Sequence, residues 1–304
     1  MITILGPTAS GKTSLAVAVA RSLDGEIISA DSRQVYDRLF LGVGKDLETY
    51  SEGGAPVPYH LIGHVSLDRD YDLFSFKQDF IASQAAILSR GKRPVLCGGT
   101  GLYLESVLLS YDLQPVSEDG AWRLRASEMS DAALSDYFLS LAMPHNCTDT
   151  SDRSRLIRAI EIALHCQRLA LDPPVTEDHG LVFGIEWDPA VLRDRIRIRL
   201  DQRLQAGMLA EVRSLLDSGV SAERLDRLGL EYRYCVAHLK GDISLDSMTH
   251  FLGREICRYA KRQRTWFRRM EKRSTAILWI SGAWDLGKQV TYVKKMVESR
   301  GGLL

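Results

Sequence analysis

The residues best suited to chemistry form a glycine-rich loop near the start of the chain. The loop fits the phosphate-binding pattern G-x-x-x-x-G-K-[ST] and comprises Gly6, Pro7, Thr8, Ala9, Ser10, Gly11, Lys12 and Thr13. The apolar run at 2–5 predicts a strand before it, and 14–23 predicts a helix after it. Loop amides, the helix N-terminus and Lys12 favour a polyanion, and the Thr13 hydroxyl can hold magnesium. The pattern predicts a diphosphate or triphosphate ligand without identifying it.

Two further strand ends carry residues that suit a ligand site. Asp31 follows the predicted strand at 25–30, and a glycine-rich turn at 98–103 follows the predicted strand at 93–97. Open α/β sheets bind ligands at the carboxyl ends of their strands, and glycine allows the backbone to approach a ligand closely. We therefore expect Asp31 at the working edge of the sheet, although an aspartate there could also cap a helix.

Basic residues concentrate in two predicted helices of the second half. The segment 192–216 places three arginines four residues apart on one face, Arg195, Arg199 and Arg203. The segment 254–273 holds nine Lys and Arg against two Glu, with three aromatic residues between them, Tyr259, Trp266 and Phe267. Such a helix could clamp phosphates and stack bases of an unpaired RNA. Alternatively, the aromatics are core residues and the charges form a solvated face.

Composition limits the class of protein. The 304 residues have no net charge, but residues 1–150 carry 12 Lys and Arg against 19 Asp and Glu, which leaves 27 against 20 for the rest. Such asymmetry suits a second half that meets a polyanion. The five cysteines form no Cys-x-x-Cys pair, so we expect free thiols. With no leader-like segment and no membrane-length apolar run, we expect a cytoplasmic protein that does not contact membranes.

The order of predicted elements indicates the fold class. We predict an α/β fold in which a phosphate-loop core with a parallel sheet is flanked by helices and carries an inserted helical domain. The core would comprise 1–113 and 179–304, because an apolar strand at 181–185 returns to the sheet after a proline-punctuated helical stretch. The insertion would occupy 114–178.

The loop alone is also compatible with nucleotide enzymes. The chain lacks the Asn-Lys-x-Asp pattern of guanine-nucleotide sites, and the strand at 95–97 ends in glycines rather than in a Walker B aspartate. A small-molecule kinase stays open, with Arg155 and Arg158 as lid arginines and Asp31 as the base.

Four segments, taken together and in chain order, resemble the tRNA dimethylallyltransferases. They are Gly6 to Thr13, Asp31-Ser32-Arg33-Gln34-Val35-Tyr36, Gly98-Gly99-Thr100-Gly101-Leu102-Tyr103 and the run from Tyr259 to Arg268. The resemblance implies transfer of a dimethylallyl group from dimethylallyl diphosphate, with Mg²⁺, to N6 of the adenosine on the 3′ side of the anticodon in the tRNA anticodon stem-loop. It also implies a monomer. An ATP-binding role for the loop would then be doubtful.

The same resemblance implies roles for individual residues. Asp31 would be the base, Arg199 and Thr13 would act on the diphosphate, and Thr100 would contact the acceptor. Two of these residues have a simpler explanation. Arg199 could be an exposed surface arginine, and Thr100 could cap a helix. The residues implied to bind tRNA are Asp31, Ser32, Arg33, Gln34, Thr100, Arg123, Ser154, Arg155, Leu156, Ile157, Arg158, Lys261, Arg262 and Arg264.

The chain also departs from the family pattern at several places. Gly44-Lys45-Asp46 stands where Ala-Lys-Pro is frequent, and Leu228-Gly229-Leu230-Glu231-Tyr232 replaces an Ile-Gly-Tyr type turn. Two rival functions stay open. An adenylate isopentenyltransferase shares the loop and the donor but modifies free nucleotides, and an RNA-binding protein could use a nucleotide only as a switch.

Overall fold

The chain divides into two compact units, one formed by Met1–Ser110 with Glu177–Leu304 and the other by Tyr111–Thr176. The computed structural model describes residues 1–111, 113, 116, 118–141, 152–169, 180–273 and 275–300. Within this part of the chain, no helix combines the length and the apolar character needed to cross a membrane.

A six-stranded sheet, parallel throughout, forms the centre of the larger unit. Its strands are β1 (Ile2–Leu5), β2 (Gly25–Ala30), β3 (Tyr59–His60), β4 (Arg93–Gly98), β5 (Leu181–Glu186) and β6 (Ile277–Ser281). Their spatial order is β3-β2-β4-β1-β5-β6. The parallel sheet with flanking helices and a separate helical unit confirms the predicted fold class. The two-residue strand β3 had no apolar run long enough to predict it.

The strand register brings the motif-bearing ends together. Leu5 pairs with Gly98 on one side and Gly184 on the other, and Ala30 also pairs with Gly98. The last residues of β1, β2 and β4 are therefore level with one another. Because all strands run in the same direction, the segments that follow them leave the sheet at one edge.

Helices cover both faces of the sheet in the first part of this unit. They are α1 (Lys12–Ser22), α2 (Leu73–Ser89) and α3 (Gly101–Leu108), with a short 3₁₀ turn at Leu47–Tyr50. The apolar residues of α1 pack on β1 and β5, whereas α2 and α3 share a core with β2 and β4. Asp72 caps α2 by accepting from the Ser75 amide at 2.8 Å, which fixes where that helix begins.

The segment predicted as one long helix at 192–216 is two helices. The first, α7 (Pro189–Gln205), ends before Gly207, whose φ of +102° is a left-handed conformation that glycine adopts without strain. The second, α8 (Met208–Asp217), starts a layer of helices that share one core. The remaining helices are α9 (Ala222–Leu228), α10 (Leu230–Leu239), α11 (Leu245–Lys272) and α12 (Leu286–Ser299). The predicted basic helix at 254–273 is the second half of α11.

The smaller unit contains three described helices, α4 (Gly120–Glu128), α5 (Asp131–Leu141) and α6 (Arg153–Leu169). Their apolar faces form one buried cluster that consists of Trp122, Ala126, Leu134, Phe138, Leu156 and Ile160. The cluster gives this unit its own core, as expected of an insertion that folds around its own apolar residues.

Candidate functional site

The loop between β1 and α1 has the backbone geometry of an anion cradle. Ala9 and Gly11 have positive φ values of 61° and 89°, and α1 begins directly after Gly11. A Cβ on Gly6 would lie 2.6 Å from the Ser10 hydroxyl, so a side chain at this position would displace Ser10. The amides of the first helical turn have no intrahelical acceptor and point out of the helix end. The loop can therefore bind a phosphate group through backbone donors.

The side chain of Gln263 on α11 ties this loop to the next turn of the sheet edge. Its Oε1 accepts from the Thr8 amide at 2.9 Å, and its Nε2 donates to the Gly99 carbonyl at 2.8 Å. A Cβ on Gly99 would lie 2.5 Å from that Nε2, so glycine makes room for the amide. Gln263 is buried and satisfies two separate backbone groups. Gln263 lies within the run from Tyr259 to Arg268, but the motif alone indicated no role for it.

Two side chains after β5 support the other side of the loop. The Trp187 indole nitrogen donates to the Ser10 carbonyl at 3.0 Å, and the Arg195 Nε donates to the Ala9 carbonyl at 2.9 Å. The Arg195 guanidinium also stacks 4.3 Å from the centre of the Trp187 ring. A fixed positive charge therefore lies behind the loop. The sequence places Arg195 on a basic helix face without indicating a role for it. Its position four residues before Arg199 is the signal that could have identified it as a site residue.

Asp31 lies directly after β2 and shapes the turn that follows. Its Oδ1 accepts from the amides of Arg33 at 3.0 Å and Gln34 at 3.4 Å, which is an Asx turn rather than a helix cap. Its Oδ2 has no hydrogen-bond partner among the described residues. The Gln34 side chain donates to the Gly44 carbonyl at 2.9 Å. One carboxylate oxygen of Asp31 is thus held by the turn while the other stays available.

Thr100 connects the ends of β4 and β2. Its hydroxyl accepts from the Ser32 amide at 3.0 Å and lies 3.4 Å from the Ser32 hydroxyl. Although it precedes α3, its side chain makes no capping bond to that helix. Burial raises the pKa of Tyr259 on α11, and a hydrogen bond with Thr100 partly opposes that rise. The hydroxyl of Thr100 therefore belongs to the sheet edge, and the alternative of a simple helix cap does not hold.

Arg199 reaches the same edge from α7. Its guanidinium forms an ion pair with Asp46, and its side chain is 29% exposed. Burial lowers the pKa of Lys12, and the charges of Asp31 and Asp46 oppose this effect while Arg199 adds to it. These four charged groups therefore share one electrostatic environment at the end of the sheet. The predicted diphosphate ligands and the predicted base lie together.

The loop at 40–46 is fixed by two charged side chains, the half-buried Glu211 and the buried Lys45. The Glu211 carboxylate accepts from the amides at Phe40, Leu41 and Gly42 at 3.3, 2.7 and 3.4 Å, and from the Tyr232 hydroxyl at 2.7 Å. Lys45 donates to the carbonyls at 36 and 37, and burial lowers the pKa of its amine to about 8. The backbone before Asp46 is thus anchored on both sides.

The predicted tRNA contacts in the smaller unit differ in their surroundings. Arg123 and Arg158 both donate to the carboxylate of Glu161, at 2.8 and 3.0 Å, and that carboxylate is 1% exposed. Burial tends to raise the pKa of Glu161, but these hydrogen bonds outweigh it and leave the pKa below its usual value. Leu156 is buried in the apolar cluster, so its side chain is not available to a ligand. Ser154 and Arg155 are exposed.

The aromatic residues of α11 are placed differently from each other. Phe267 is fully buried, so for this residue the alternative of a core aromatic holds. Trp266 packs against Gly101, where a Cβ would come within 2.4 Å of its ring, and the Arg269 guanidinium covers that ring at 4.0 Å. Lys261 and Arg262 are exposed on the same helix, with Arg262 located 5.9 Å from the Tyr259 ring.

Comparison with known proteins gives concordant results along the whole chain. The family model described as IPP transferase matches residues 34–270, and the model described as isopentenyl transferase matches residues 1–54. The chain is 47% identical over 287 residues to tRNA dimethylallyltransferase 2 of Syntrophotalea carbinolica, covering 94% of this chain and 95% of that one. It is 48% identical to tRNA dimethylallyltransferase 2 of Trichlorobacter lovleyi, covering 94% and 93%.

Solved structures show the same architecture. A tRNA isopentenylpyrophosphate transferase from Staphylococcus epidermidis superposes with a TM-score of 0.71 at 31% identity, covering 99% of both chains. A eukaryotic dimethylallyltransferase acting on tRNA gives a TM-score of 0.77 at 19% identity, covering 98% of this chain and 77% of that one, and it supports the fold alone. With a family model matching most of its length and relatives near 47% identity, the chain belongs to the IPP transferase family.

Proposed function

We propose that this protein transfers a dimethylallyl group from dimethylallyl diphosphate to N6 of the adenosine on the 3′ side of the anticodon in tRNA. The allylic C–O bond breaks, the N6–C bond forms, diphosphate leaves and the amine loses a proton. The observation that carries the proposal is the convergence of Lys12, Arg199, Asp31 and Thr100 on one edge of the sheet. Relatives of 47–48% identity bear the name tRNA dimethylallyltransferase.

The donor end of the site would act on the leaving group. Negative charge grows on the diphosphate as the C–O bond breaks, so donors that are already in place lower the barrier. The backbone amides of the loop, the Lys12 ammonium and the Arg199 guanidinium are such donors. Burial lowers the pKa of Lys12, and an arriving diphosphate would favour its charged form again.

Magnesium would complete the donor end. The Thr13 hydroxyl lies in the first turn of α1 and offers the hard oxygen ligand that this ion prefers. Across the described residues, no group of three or more His, Cys, Asp and Glu could bind a metal on its own. The ion would therefore be held by Thr13 together with phosphate oxygens and water, and it would neutralise charge on the departing diphosphate.

The acceptor end would remove a proton from the adenine. An exocyclic amine is a weak nucleophile because its lone pair is delocalised, so a carboxylate must accept the proton as the bond forms. Asp31 is suited to this role because its Oδ1 is fixed by the turn and its Oδ2 is available. Thr100, held by the Ser32 amide, would orient the acceptor.

The exposed cations of α11 favour tRNA over a free nucleotide as acceptor. Lys261 and Arg262 lie on the helix whose Gln263 supports the phosphate loop. An RNA bound to this helix would therefore lie close to the reaction site. Magnesium dependence, a monomeric state and a cytoplasmic location remain predictions.

The test is transfer of radiolabel from dimethylallyl diphosphate to three acceptors without ATP. One acceptor is an anticodon stem-loop with adenosines at the two positions 3′ of the anticodon, the second replaces the first of these with guanosine, and the third is free AMP. We expect label only in the adenosine stem-loop. Label found only in AMP would show an adenylate isopentenyltransferase. In a parallel assay with ATP and no prenyl donor, phosphate release from ATP, combined with no transfer of label in the first assay, would favour a kinase or nucleotide switch.

A further inference from the structure

The carboxylate that pairs with Arg199 comes from a segment with no assigned role. Asp46 precedes the 3₁₀ turn at Leu47–Tyr50, a position where aspartate usually accepts from a backbone amide of the turn. It makes no such capping bond here, and its Oδ2 contacts the Arg199 guanidinium instead. The Asp46 side chain therefore serves the arginine rather than its own backbone.

The backbone around Gly44 is shaped to admit the arginines of α7. Gly44 has a φ of +65°, and a Cβ built on it would lie 2.8 Å from an Arg199 nitrogen and 1.8 Å from an Arg203 nitrogen. A residue with a side chain would force both guanidinium groups to move. The buried Lys45 anchors the next position to the carbonyls at 36 and 37. Asp46 is thus presented to Arg199 by a loop with little freedom to withdraw.

The two neighbouring arginines of α7 have different access to solvent and to the loop. Arg203 is 12% exposed and lies 4.0 Å from the carboxylate of Glu231, whereas Arg199 is 29% exposed and its partner Asp46 is 46% exposed. Ion pairs that solvent can reach contribute about 1 kcal/mol or less, so a dianionic ligand can replace the carboxylate. Arg199 can therefore exchange its partner more easily than Arg203.

We propose that Asp46 is a positioning residue that holds Arg199 in the free enzyme and competes with the donor diphosphate for it. The inference rests on the proposed function, because it takes Arg199 as a ligand of the diphosphate. In the free enzyme the ion pair keeps the guanidinium beside the phosphate loop. When the donor binds, its oxygens replace the Asp46 carboxylate, and when diphosphate leaves the ion pair forms again. The competition weakens donor binding and speeds product release.

The experiment titrates inorganic pyrophosphate with Mg²⁺ into the full-length protein by calorimetry. The proteins are the wild type, Asp46→Asn, Arg199→Ala and the double variant. The matched control is Glu48→Gln, which removes a charge from the same segment at an exposed residue with no ion-pair partner in the described chain. We expect Asp46→Asn to tighten pyrophosphate binding about three- to fivefold, which is the effect of losing a partly exposed competing ion pair of about 1 kcal/mol or less. Glu48→Gln should change binding less than twofold.

The double variant separates competition from a general effect of charge. We expect no tightening by Asp46→Asn when Arg199 is already absent, which a double-mutant cycle reports as coupling. In steady-state transfer, Asp46→Asn should lower the KM for the donor more than it changes kcat. Unchanged or weaker binding in Asp46→Asn, or equal tightening in both backgrounds, would overturn the inference. Failure of Arg199→Ala to weaken pyrophosphate binding would instead refute the assignment of Arg199 to the donor.

Discussion

The two basic helices of the larger unit, α7 and α11, use their arginines in different ways. On α7, Arg195 donates to a carbonyl of the phosphate loop, and Arg199, whose charge influences Lys12 of that loop, pairs with the half-exposed Asp46. On α11, five of the nine cations within 254–273 pair with carboxylates of the protein. Arg269 and Arg273 share the fully buried Glu105, Arg264 and Arg268 face Glu186 at 3.6 and 3.7 Å, and Arg258 pairs with Glu255.

The difference shows that charge density along a helix overstates the charge available to a partner. In the more basic segment of α11, four of the paired arginines bind carboxylates of α3 and β5, and these ion pairs hold the helix against the sheet. The helix α7 has fewer cations. Arg195 donates to one loop carbonyl, and Arg199 pairs with the half-exposed Asp46, whereas Arg203 faces a mostly buried carboxylate, that of Glu231. Whether an arginine is available to a bound anion depends on the group with which it already pairs. An arginine that pairs with a buried carboxylate cannot leave it without a cost of several kcal/mol.

The largest expected effect concerns the acceptor end, which neither helix supplies. If α7 binds the donor and α11 binds the RNA, neither helix supplies the base. Proton removal would then depend on Asp31. We expect Asp31→Ala to lower the rate of transfer at least about a hundredfold, as expected for loss of a general base. Saturating single-turnover transfer to the stem-loop measures it, and pyrophosphate binding checks that the donor site is intact. Near-normal transfer would show that another group accepts the proton.

A second prediction tests the structural role of the α11 arginines. Glu105→Gln removes the carboxylate that Arg269 and Arg273 share, while the side chain at 105 keeps its size. We expect the free energy of unfolding to fall by about 2 kcal/mol, because hydrogen bonds to charged groups are lost at a buried site. Urea denaturation measures the change. The control Glu255→Gln, which affects only the exposed Arg258, should cost less than about 0.5 kcal/mol. Equal effects would contradict the distinction between the two pairs.

The smallest expected effect concerns the cations of α11 that have no carboxylate partner in the described chain. We expect Lys261→Ala with Arg262→Ala to weaken tRNA binding and to flatten the slope of log K against log salt by about 1.5. The control replaces Lys294 and Lys295 of α12 and should leave the slope unchanged. Arg264→Ala should change it less than either residue of the pair, since Glu186 already faces this arginine. An unaltered slope in the double variant would indicate that this face of α11 is exposed to solvent and does not contact tRNA.

Local patterns in the sequence predicted the elements that carry the site. The loop at 6–13, the strand ending before Asp31 and the glycine turn at 98–101 each depend on a few adjacent residues, so they could be predicted without knowledge of the fold. The break at Gly207 was missed because the apolar spacing continues across it. The identification of the family, confirmed by the comparisons, came from the joint occurrence of four motifs.

The partners of charged residues could not be predicted in the same way. Arg199 and Asp46 are 153 positions apart, and Thr8 and Gln263 are 255 apart, so only the folded sheet edge brings them together. Arg123 and Glu161 are 38 positions apart and meet only in the folded helical unit, whereas Arg158 and Glu161 lie three apart on one helix, a spacing that the sequence does show. Sequence patterns identify residue types that suit a role, whereas burial and pairing decide which residues are free to perform it.

The central claim is that Arg199 acts on the departing diphosphate while the paired arginines of α11 do not. The most direct measurement is the single-turnover rate of dimethylallyl transfer at saturating donor and stem-loop in Arg199→Ala and in Arg258→Ala. We expect a loss of at least about a hundredfold in Arg199→Ala, as for removal of a group that stabilises transition-state charge, and of less than twofold in Arg258→Ala. Comparable rates in the two variants would contradict it.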